Sequence, residues 1–389
     1  MRVLLAFSGG LDTSYLLRRL VKEGHEVVAV TVDTGGLDDD ERARLTTKAR
    51  DLGATHYRLV DARQRVYTQH IAWLVKANVR RGGVYPLCVG AERVVQAQVV
   101  AELAREWKAD AGCHGSTGAG NDQIRFDVAI RTLLPGAEIL TPIRDERISR
   151  ETSAAFLGSE GFPVSAERRD YSINQGLWGV TIGGRETHDA WQYLPEAAWP
   201  TTATPSSAPA SGEDVVLHFE RGEVEGGLDT VERLNVLGAA HGVGRGMHLG
   251  DTIIGIKGRI AFEAPAAAIL IDAHRELEKL VLTRLQLVQK EHLGALYGAY
   301  LHEGLYFDPV MRDLEAFLES TQTTVTGDVR VHLEQGRVEV HGVRSPHSLM
   351  DARVGRYGEE NTLWSNADAR GFCAVYGLQG VLAARARTP

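Results

Sequence analysis

The chain has 389 residues, of which 43% are hydrophobic and 24% are charged, so it is long enough for two or three domains with buried cores. Its formal net charge of -8 disfavours extended nucleic-acid binding, which needs a basic surface to displace counterions from phosphates. The sequence has no apolar run of transmembrane length and no signal-peptide pattern after Met1, so we expect a cytoplasmic protein with no membrane partner.

The first part of the chain alternates short β-rich apolar runs with amphipathic stretches of helical length. This pattern is typical of a parallel sheet covered by helices, so we predict a doubly wound α/β nucleotide-binding domain over residues 1–165. Such sheets bind ligands in the loops that follow their strands. The predicted strands are Val3–Phe7, Glu26–Asp33, His56–Val60, Asp110–His114 and Glu138–Thr141.

A stretch rich in proline, serine, threonine and alanine lies between Trp199 and Asp214, and we expect it to be an exposed loop. The simplest organisation is then a second, α+β domain over 166–360 and a helical tail over 361–389. The predicted elements are a strand at Val215–Glu220, a helical stretch at Asp272–Leu293, a hairpin at Thr324–Gly342 turning at Gln335-Gly336, and a terminal helix at Asn366–Arg385.

The three cysteines, Cys88, Cys113 and Cys373, lie far apart, and no Cys-x-x-Cys pair or clustered His/Cys spacing suits zinc. We therefore expect ordinary thiols and assign no residues to a metal site.

The first predicted strand runs into a glycine-containing loop, Ser8-Gly9-Gly10-Leu11-Asp12-Thr13-Ser14, and a helical pattern begins directly after it. The glycines let the backbone turn tightly and approach an anion, and the hydroxyls stand beside the amides of the helix start. The loop therefore suits a phosphate group, although it has neither the lysine of a P-loop nor the G-x-G-x-x-G spacing. The alternative is a plain strand-to-helix turn capped by Asp12 or Thr13.

A second polar loop, Gly115–Phe126, follows the fourth predicted strand. Thr117 and Asn121 can hydrogen-bond a carboxylate or an amide, Asp122 can hold an ammonium group, and Arg125 can clamp a carboxylate with two parallel hydrogen bonds. This combination predicts a binding site for an amino acid. The alternative is a helix capped by Asn121 or Asp122, with Asp122 or Asp127 and Arg125 as solvent-facing charges.

Both loops resemble motifs of known families. Ser8–Ser14 resembles the pyrophosphate loop of the ATP pyrophosphatase superfamily, whose sheet is of the adenine nucleotide alpha hydrolase type, and Gly115–Phe126 resembles the aspartate and citrulline loop of the argininosuccinate synthase family. Further matches to that family extend over nearly the entire chain: Tyr85-Pro86-Leu87, Tyr171-Ser172-Ile173, Leu177-Trp178-Gly179, Leu234-Asn235, His241-Gly242-Val243-Gly244-Arg245 and Ala273-His274-Arg275.

The resemblance implies an ATP-dependent ligase of arginine biosynthesis. In the family's reaction the ureido oxygen of citrulline attacks the α-phosphorus of ATP, pyrophosphate leaves, and the aspartate amine displaces AMP to give argininosuccinate. The resemblance further implies Mg²⁺ bridging the ATP phosphates, with Asp12 on the magnesium side, and a homotetramer that assembles through the C-terminal helix. From periodicity alone, that helix could equally pack on its own subunit.

The resemblance also assigns roles to residues, with Asp12 and Arg125 as the catalytic pair. ATP would be bordered by Ala6, Phe7, Ser8, Gly9, Gly10, Leu11, Asp12, Thr13, Ser14, Val32 and Gly115. Aspartate would be held by Thr117, Asn121 and Asp122. Citrulline would be surrounded by Tyr85, Asn121, Arg125, Ser172 and Thr181. Ser172 and Thr181 considered alone would more often be ordinary strand or turn hydroxyls.

Departures from the family pattern concentrate on the citrulline side. A serine, a glutamate, a tyrosine and a lysine of the pattern are replaced here by Gly90, Gly250, Phe262 and Ala119. Glu92 or Glu263 could supply the lost carboxylate. Alternatively, the same chemistry acts on a citrulline with a modified α-amine, such as an N-acyl group, or on another ureido compound.

Two other classes of function stay open from the sequence. Another ATP pyrophosphatase, such as an amide-forming nucleotide synthetase or a tRNA-modifying thiolase, would be expected to show an ammonia-producing domain or paired cysteines with a basic RNA surface. A nucleotide-binding regulator that has lost its chemistry would not need the amino-acid cluster.

Overall fold

The computed structural model describes residues 1–163, 170–359 and 363–387. The chain divides into two compact units, Met1–Pro346 and His347–Pro389. The predicted domain boundaries at 165/166 and 360/361 fall outside the described residues, and they stay predictions.

In the described part of the first unit, five parallel strands form one sheet: β1 (Arg2–Ala6), β2 (Glu26–Asp33), β3 (His56–Asp61), β4 (Ala111–Cys113) and β5 (Glu138–Leu140). Their order is β3-β2-β1-β4-β5, so the sheet is wound in both directions from β1. Each predicted strand is present within a residue or two of its predicted ends. The doubly wound α/β prediction is confirmed.

Helices cover both faces of this sheet: α1 (Leu11–Lys22), α2 (Asp39–Asp51), α3 (Arg63–Val66), α4 (Ala72–Lys76), α5 (Gly90–Glu106), α6 (Asp122–Leu133), α7 (Pro142–Asp145) and α8 (Arg150–Ser159). A π-helical turn at Tyr67–Ile71 joins α3 to α4. Val3 and Leu5 of β1 pack into the core with α1, and Leu4 packs into the opposite core with α5 and α6. This alternation explains why β1 is apolar at successive positions.

Two antiparallel sheets follow, which confirms the prediction of an α+β second part. One consists of β6 (Ser172–Gly176), β7 (Gly179–Gly183), β10 (Arg245–Asp251) and β11 (Lys257–Glu263), in the order β10-β11-β7-β6. The other, which we call the outer sheet, consists of β8 (Glu213–Glu220), β9 (Glu223–Val224), β12 (Gly327–Glu334) and β13 (Arg337–Arg344), in the order β13-β12-β8-β9. The accompanying helices are α9 (Gly227–Ala240), α10 (Pro265–Val281), α11 (Arg284–His302) and α12 (Pro309–Gln322).

The helical stretch predicted at Asp272–Leu293 is wrong in its continuity, because α10 ends before Thr283 and α11 begins after it. The Thr283 hydroxyl accepts a hydrogen bond from the Gln286 amide, and the Gln286 side chain accepts one from the Thr283 amide at 3.0 Å. This reciprocal capping starts a new helix. The break is invisible to periodicity because both helices carry the same apolar period.

The second unit contains α13 (Asn366–Tyr376) and α14 (Leu378–Arg387), so the single terminal helix predicted at Asn366–Arg385 is interrupted at Gly377. Ser365 caps α13, its hydroxyl accepting from the amide of Asp368. Neither helix has a buried residue in its described range. No helix among the described residues is long and apolar enough to cross a membrane.

Candidate active site

A cavity of about 990 Å³ opens at the carboxyl ends of the parallel strands. Its wall includes the residues after β1 and β4, the start of α5, and the edge of the sheet that contains β6, β7, β10 and β11. The two polar loops singled out by sequence therefore face one space. Of the predicted nucleotide and amino-acid residues, those in the cavity wall are Ala6, Phe7, Ser8, Thr13, Val32, Tyr85, Gly115, Thr117, Asn121, Asp122, Arg125 and Thr181.

The phosphate loop turns sharply after β1 and leads into α1. Gly9 has a φ of +70°, and a Cβ there would lie 2.1 Å from Cδ2 of Leu45, so only glycine fits without rearrangement. The Ser8 and Thr13 hydroxyls are 3.1 Å apart. Ser14 is turned inward, its hydroxyl donating to the Gly10 carbonyl at 2.7 Å, and it stabilises the loop from behind.

Asp12 stands in the first turn of α1. Burial raises the pKa of its carboxyl, and the nearby positive charge of Arg150 lowers it by less. A Cβ on Gly115 would lie 3.6 Å from Cβ of Asp12, so Gly115 brings the β4 loop close to this helix start. Gly9, Gly10, Leu11, Asp12 and Ser14 do not appear among the described residues of the cavity wall.

A lysine reaches the phosphate loop from outside the motif. Lys48 of α2 donates from Nζ to the Gly9 carbonyl at 2.6 Å. Burial lowers the pKa of this lysine, and Arg44 adds to the effect. Lys48 gave no signal in the sequence, because it lies 38 residues after Gly10 on a helix with no motif.

The second loop places Asp122 between two arginines. Nε of Arg93 lies 3.0 Å from one Asp122 oxygen, and Nη1 of Arg125 lies 2.9 Å from the other. Burial alone would raise the pKa of Asp122, but the charges of Arg93 and Arg125 outweigh it and hold the pKa below its ordinary value. Asp122 is therefore an anion at neutral pH.

Asn121 does not cap α6, contrary to the structural alternative drawn from sequence. The Asn121 side chain makes no capping hydrogen bond, and its Oδ1 instead accepts from the Ile253 amide at 2.9 Å. Asn121 thus joins the second loop to the turn between β10 and β11. Thr117 lies in the cavity wall beside it.

Arg125 is 5% exposed and makes three different contacts. Its Nε donates to the His302 carbonyl at 3.0 Å, Nη1 meets Asp122, and Nη2 lies 3.2 Å from Nδ1 of His302. Burial lowers the pKa of His302 to about 3, and Arg125 contributes, so this imidazole is neutral. A Cβ at Gly90 would lie 3.2 Å from Nη2 of Arg125, so the absence of a side chain at Gly90 gives the guanidinium its room.

The remaining predicted citrulline contacts are only partly brought together. Tyr85 is buried, and its hydroxyl donates to the Cys88 carbonyl at 2.6 Å, so its ring rather than its hydroxyl is available. Thr181 is buried on β7 and lies in the cavity wall. Ser172 is exposed on β6 and is not among the described residues of that wall.

The suggestion that Glu92 or Glu263 replaces the lost pocket carboxylate is wrong. Glu92 is fully buried and accepts from the Thr34 hydroxyl at 3.0 Å and the Trp178 amide at 3.1 Å. Glu263 is also fully buried and accepts from the amides and hydroxyls of the Thr201-Thr202 pair. Both carboxylates are engaged by hydrogen bonds within the protein, and neither is among the described residues of the cavity wall.

Most of the positively charged side chains in the cavity wall were not predicted from the sequence. The described wall carries four arginines, Arg81, Arg93, Arg125 and Arg259, against two carboxylates, Asp122 and Asp251. Outside the second loop these arginines lie singly in unrelated segments, so no motif marked them. Because positive charges outnumber negative ones, the wall suits anionic and neutral groups. It is less suited to a further ammonium group beyond the one expected at Asp122.

Replacing Glu92 with glutamine is expected to flatten the dependence of protein stability on pH. Burial raises the pKa of Glu92 from 4.5 to about 7, although the Trp178 amide and the Thr34 hydroxyl oppose it. The folded protein therefore binds this proton more tightly than the unfolded chain, and the free energy of unfolding should fall as pH rises from 4.5 through 7. Urea unfolding at several pH values would measure the slope, with exposed Glu102→Gln of the same helix as the control. An unchanged slope in Glu92→Gln would contradict the assignment.

The fold and the cavity together indicate a class of protein. A doubly wound sheet with a glycine-rich phosphate loop, and an ion-paired amino-acid cluster on the same cavity, is the architecture of a nucleotide-dependent ligase. Residues 2–163 match the arginosuccinate synthase N-terminal HUP domain, and residues 171–383 match the arginosuccinate synthase C-terminal domain. The chain belongs to the argininosuccinate synthase family.

Individual relatives agree over the full length. The chain is 38% identical to the argininosuccinate synthase of Xanthomonas campestris pv. campestris, covering 98% of each protein. It is 38% identical to that of Xylella fastidiosa, covering 98% of this chain and 96% of the relative. It is 35% identical to that of Pyrococcus furiosus, covering 98% and 94%.

Proposed function

We propose that this chain joins citrulline to aspartate at the expense of ATP, giving argininosuccinate, AMP and pyrophosphate. The observation that carries the proposal is the joint cavity, in which Ser8 and Thr13 of the phosphate loop and the Asp122–Arg125 cluster line one space. Relatives named argininosuccinate synthase support it. A cytoplasmic location, where ATP and both amino acids are available, belongs to the same proposal.

In this proposal, chemistry follows from placing three reactants in line. The ureido oxygen of citrulline forms a bond to the α-phosphorus of ATP, and the bond to the pyrophosphate oxygen breaks. The amine of aspartate then attacks the activated carbon, AMP leaves with the former ureido oxygen, and the amine releases a proton. Arg125 would bind a substrate carboxylate, and Asp122 would bind the aspartate ammonium; both act by position and charge.

Mg²⁺ fits beside Asp12. A half-buried carboxylate whose pKa is raised by burial gains most from a neighbouring cation, and Mg²⁺ in nucleotide sites is held by one or two carboxylates plus the phosphates. When bound, the ion neutralises charge on the leaving pyrophosphate. The Lys48 ammonium at the Gly9 carbonyl would hold the loop in place for it.

A continuous pyrophosphate-release assay tests the main proposal. Purified protein with Mg²⁺ and ATP should release pyrophosphate only when citrulline is added, and AMP and argininosuccinate should accumulate in equal amounts once aspartate is present. The proposal would be contradicted if the rate of pyrophosphate release did not increase with any ureido compound but increased with tRNA or with a nucleotide acceptor.

A second candidate function is the same ligation on a citrulline whose α-amine is blocked, for example by an acyl group. Gly250 and Gly258 face each other across β10 and β11 in the cavity wall, so neither position presents a carboxylate to an α-ammonium group. Asp251, the carboxylate nearest to them, is paired with Lys257 at 2.7 Å. His248 stacks on Tyr85, and burial, with a smaller effect of Arg81, lowers its pKa and favours the neutral imidazole.

One comparison of substrates distinguishes the two candidate functions. Steady-state pyrophosphate release should be measured with citrulline and with N-acetylcitrulline over the same concentration range. A kcat/KM at least tenfold higher for the acylated compound would favour the second candidate, and a strong preference for free citrulline would refute it. The ATP-dependent step is common to both.

We further propose that the protein is a homotetramer and that α13 and α14 contribute to its assembly. Their exposed apolar residues, Phe372, Val375, Tyr376, Leu378, Val381 and Leu382, are costly to leave in water. Light scattering of full-length Val375→Asp/Leu382→Asp should report a smaller species than wild type, whereas exposed Arg385→Ala should not change the mass. A double variant that stays tetrameric would contradict the role of these helices.

A further inference from the structure

Three side chains of the outer sheet converge on one point, far from the strands that bear the phosphate loop. Asp214 lies on β8, His332 on β12 and His341 on β13, which are neighbours in the sheet. Nδ1 of His332 lies 2.7 Å and Nδ1 of His341 4.0 Å from the same oxygen, Oδ1 of Asp214. One ligand atom from each residue lies within 4.8 Å of the others.

An irregularity in strand pairing brings the second histidine into this group. Arg330 pairs with Gly342 and Val331 with Val340, so His341 is the extra residue of a β-bulge. The bulge places its ring over that of His332, with centroids 4.7 Å apart and ring planes 9° apart. Without the bulge, His341 would take its turn in the regular alternation of β13, so it is the bulge that brings its Nδ1 toward the same Asp214 oxygen as Nδ1 of His332.

The neighbours of the two rings set their orientations. Nε2 of His341 lies 3.5 Å from the Glu339 carboxylate, which favours a proton on Nε2 and leaves the Nδ1 lone pair facing Asp214. A Cβ at Gly212 would lie 2.1 Å from Nε2 of His332, so the missing side chain at Gly212 provides the space for that ring.

We propose that Asp214, His332 and His341 bind a divalent transition-metal ion, for which Zn²⁺ is the best match. Two imidazole nitrogens and one carboxylate oxygen suit zinc, whereas Mg²⁺ and Ca²⁺ prefer sites made of oxygen alone. The separations of 2.7 and 4.0 Å bracket the roughly 3.3 Å between ligands of a tetrahedral zinc ion. Because a metal ion lies in the plane of an imidazole that binds it, the His341 ring must rotate out of its stack on His332; Asp214 and His341 are both partly exposed, which leaves room for this rotation, and water can take the fourth position.

The bound ion would cross-link three strands of the outer sheet. Sequence spacing could not reveal the site, because its residues are 118 and 9 positions apart, from Asp214 to His332 and from His332 to His341. The competing explanation is a set of hydrogen bonds that needs no metal. The same face offers the matched comparison: His218 lies 2.7 Å from Asp328 across β8 and β12, and this pair is not part of any metal-ligating group of three among the described residues.

Zinc binding to full-length, chelator-treated protein tests the proposal. Zn²⁺ alone is titrated against a chromophoric competitor, and bound metal is counted by mass spectrometry. Wild type should bind one more equivalent than His332→Ala, His341→Ala or Asp214→Asn, or these variants should bind it at least tenfold more weakly. His218→Ala should bind like wild type. Zinc should also raise the thermal unfolding midpoint of wild type and His218→Ala more than that of Asp214→Asn.

The opposite results overturn the inference. Equal zinc affinity and stoichiometry in wild type and the three site variants would show that the cluster is a hydrogen-bonded surface group only, as would no binding to wild type at tens of micromolar zinc. The variants should keep the wild-type circular dichroism spectrum without metal. If an alanine variant does not fold, His332→Gln and His341→Gln replace it, because glutamine keeps a polar side chain on the same face.

Discussion

Replacing Asp12 with asparagine is expected to slow pyrophosphate release by about 100-fold, a loss of about 3 kcal/mol of transition-state stabilisation. Asparagine keeps the shape of the side chain but removes the charge that we propose faces the magnesium side of the phosphates. The carboxyl is already half desolvated, with a pKa raised by burial, so its charge is felt strongly by a neighbouring ion. The rate should be measured at saturating ATP and over a range of Mg²⁺ concentrations.

Exposed Asp39, in the first turn of α2, provides the matched control. Asp39→Asn should release pyrophosphate at the wild-type rate. If Asp12→Asn also keeps the wild-type rate at low and high Mg²⁺, Asp12 is a helix-start residue only, and the alternative of a plain capped turn is correct.

Arg125→Lys is expected to lower kcat/KM for the ureido substrate by about 100-fold to 1000-fold, while the affinity for ATP changes little. Lysine keeps the charge but cannot reproduce the fork that reaches the His302 carbonyl, the His302 ring and Asp122 together. A buried carbonyl loses its donor, and a substrate carboxylate loses its planar partner. The kinetic constants and a separate ATP-binding titration distinguish these effects.

Because Arg125 is buried, its variant must be shown to fold, by thermal unfolding and by retained ATP binding. Arg105→Lys is the comparison, since this exposed arginine joins α5 to α6 through the Leu133 carbonyl and is not among the described residues of the cavity wall. An equal loss of ATP and ureido-substrate binding in Arg125→Lys would mean that Arg125 supports the fold and does not select the acceptor.

The α/β half of the fold was predictable from sequence because its signals are local. Apolar runs of strand length give β1 to β5. In the outer sheet, the hairpin turn at Gln335-Gly336 was marked by its glycine, which readily takes the φ of +87° found there. The continuity of helices was not predictable in the same way. The break at Thr283 depends on one capping exchange with Gln286, which a period of 3.6 residues cannot register.

The site was predictable where one segment carries several functional groups, and unpredictable where distant segments meet. The phosphate loop and the Asp122–Arg125 loop are each contiguous, so their chemistry can be read in order. Arg93 and His302 reach the same cluster from α5 and the end of α11, and only folding brings them there. Glu92 shows the converse error, because proximity in sequence to Gly90 did not make it a pocket carboxylate.

The helix α2 contacts the nucleotide side of the cavity at both of its ends. Near its start, Arg42 pairs with buried Asp33 at the end of β2, and near its end, Lys48 donates to the Gly9 carbonyl. The end of β2, next to the proposed ATP contact Val32, and the phosphate loop are thus both joined to the same helix. If the nucleotide binds as proposed, we expect little conformational entropy to be lost on binding, and preorganisation would then contribute to the affinity for ATP. Loosening either end of α2 would weaken the hold on both halves of the nucleotide at once.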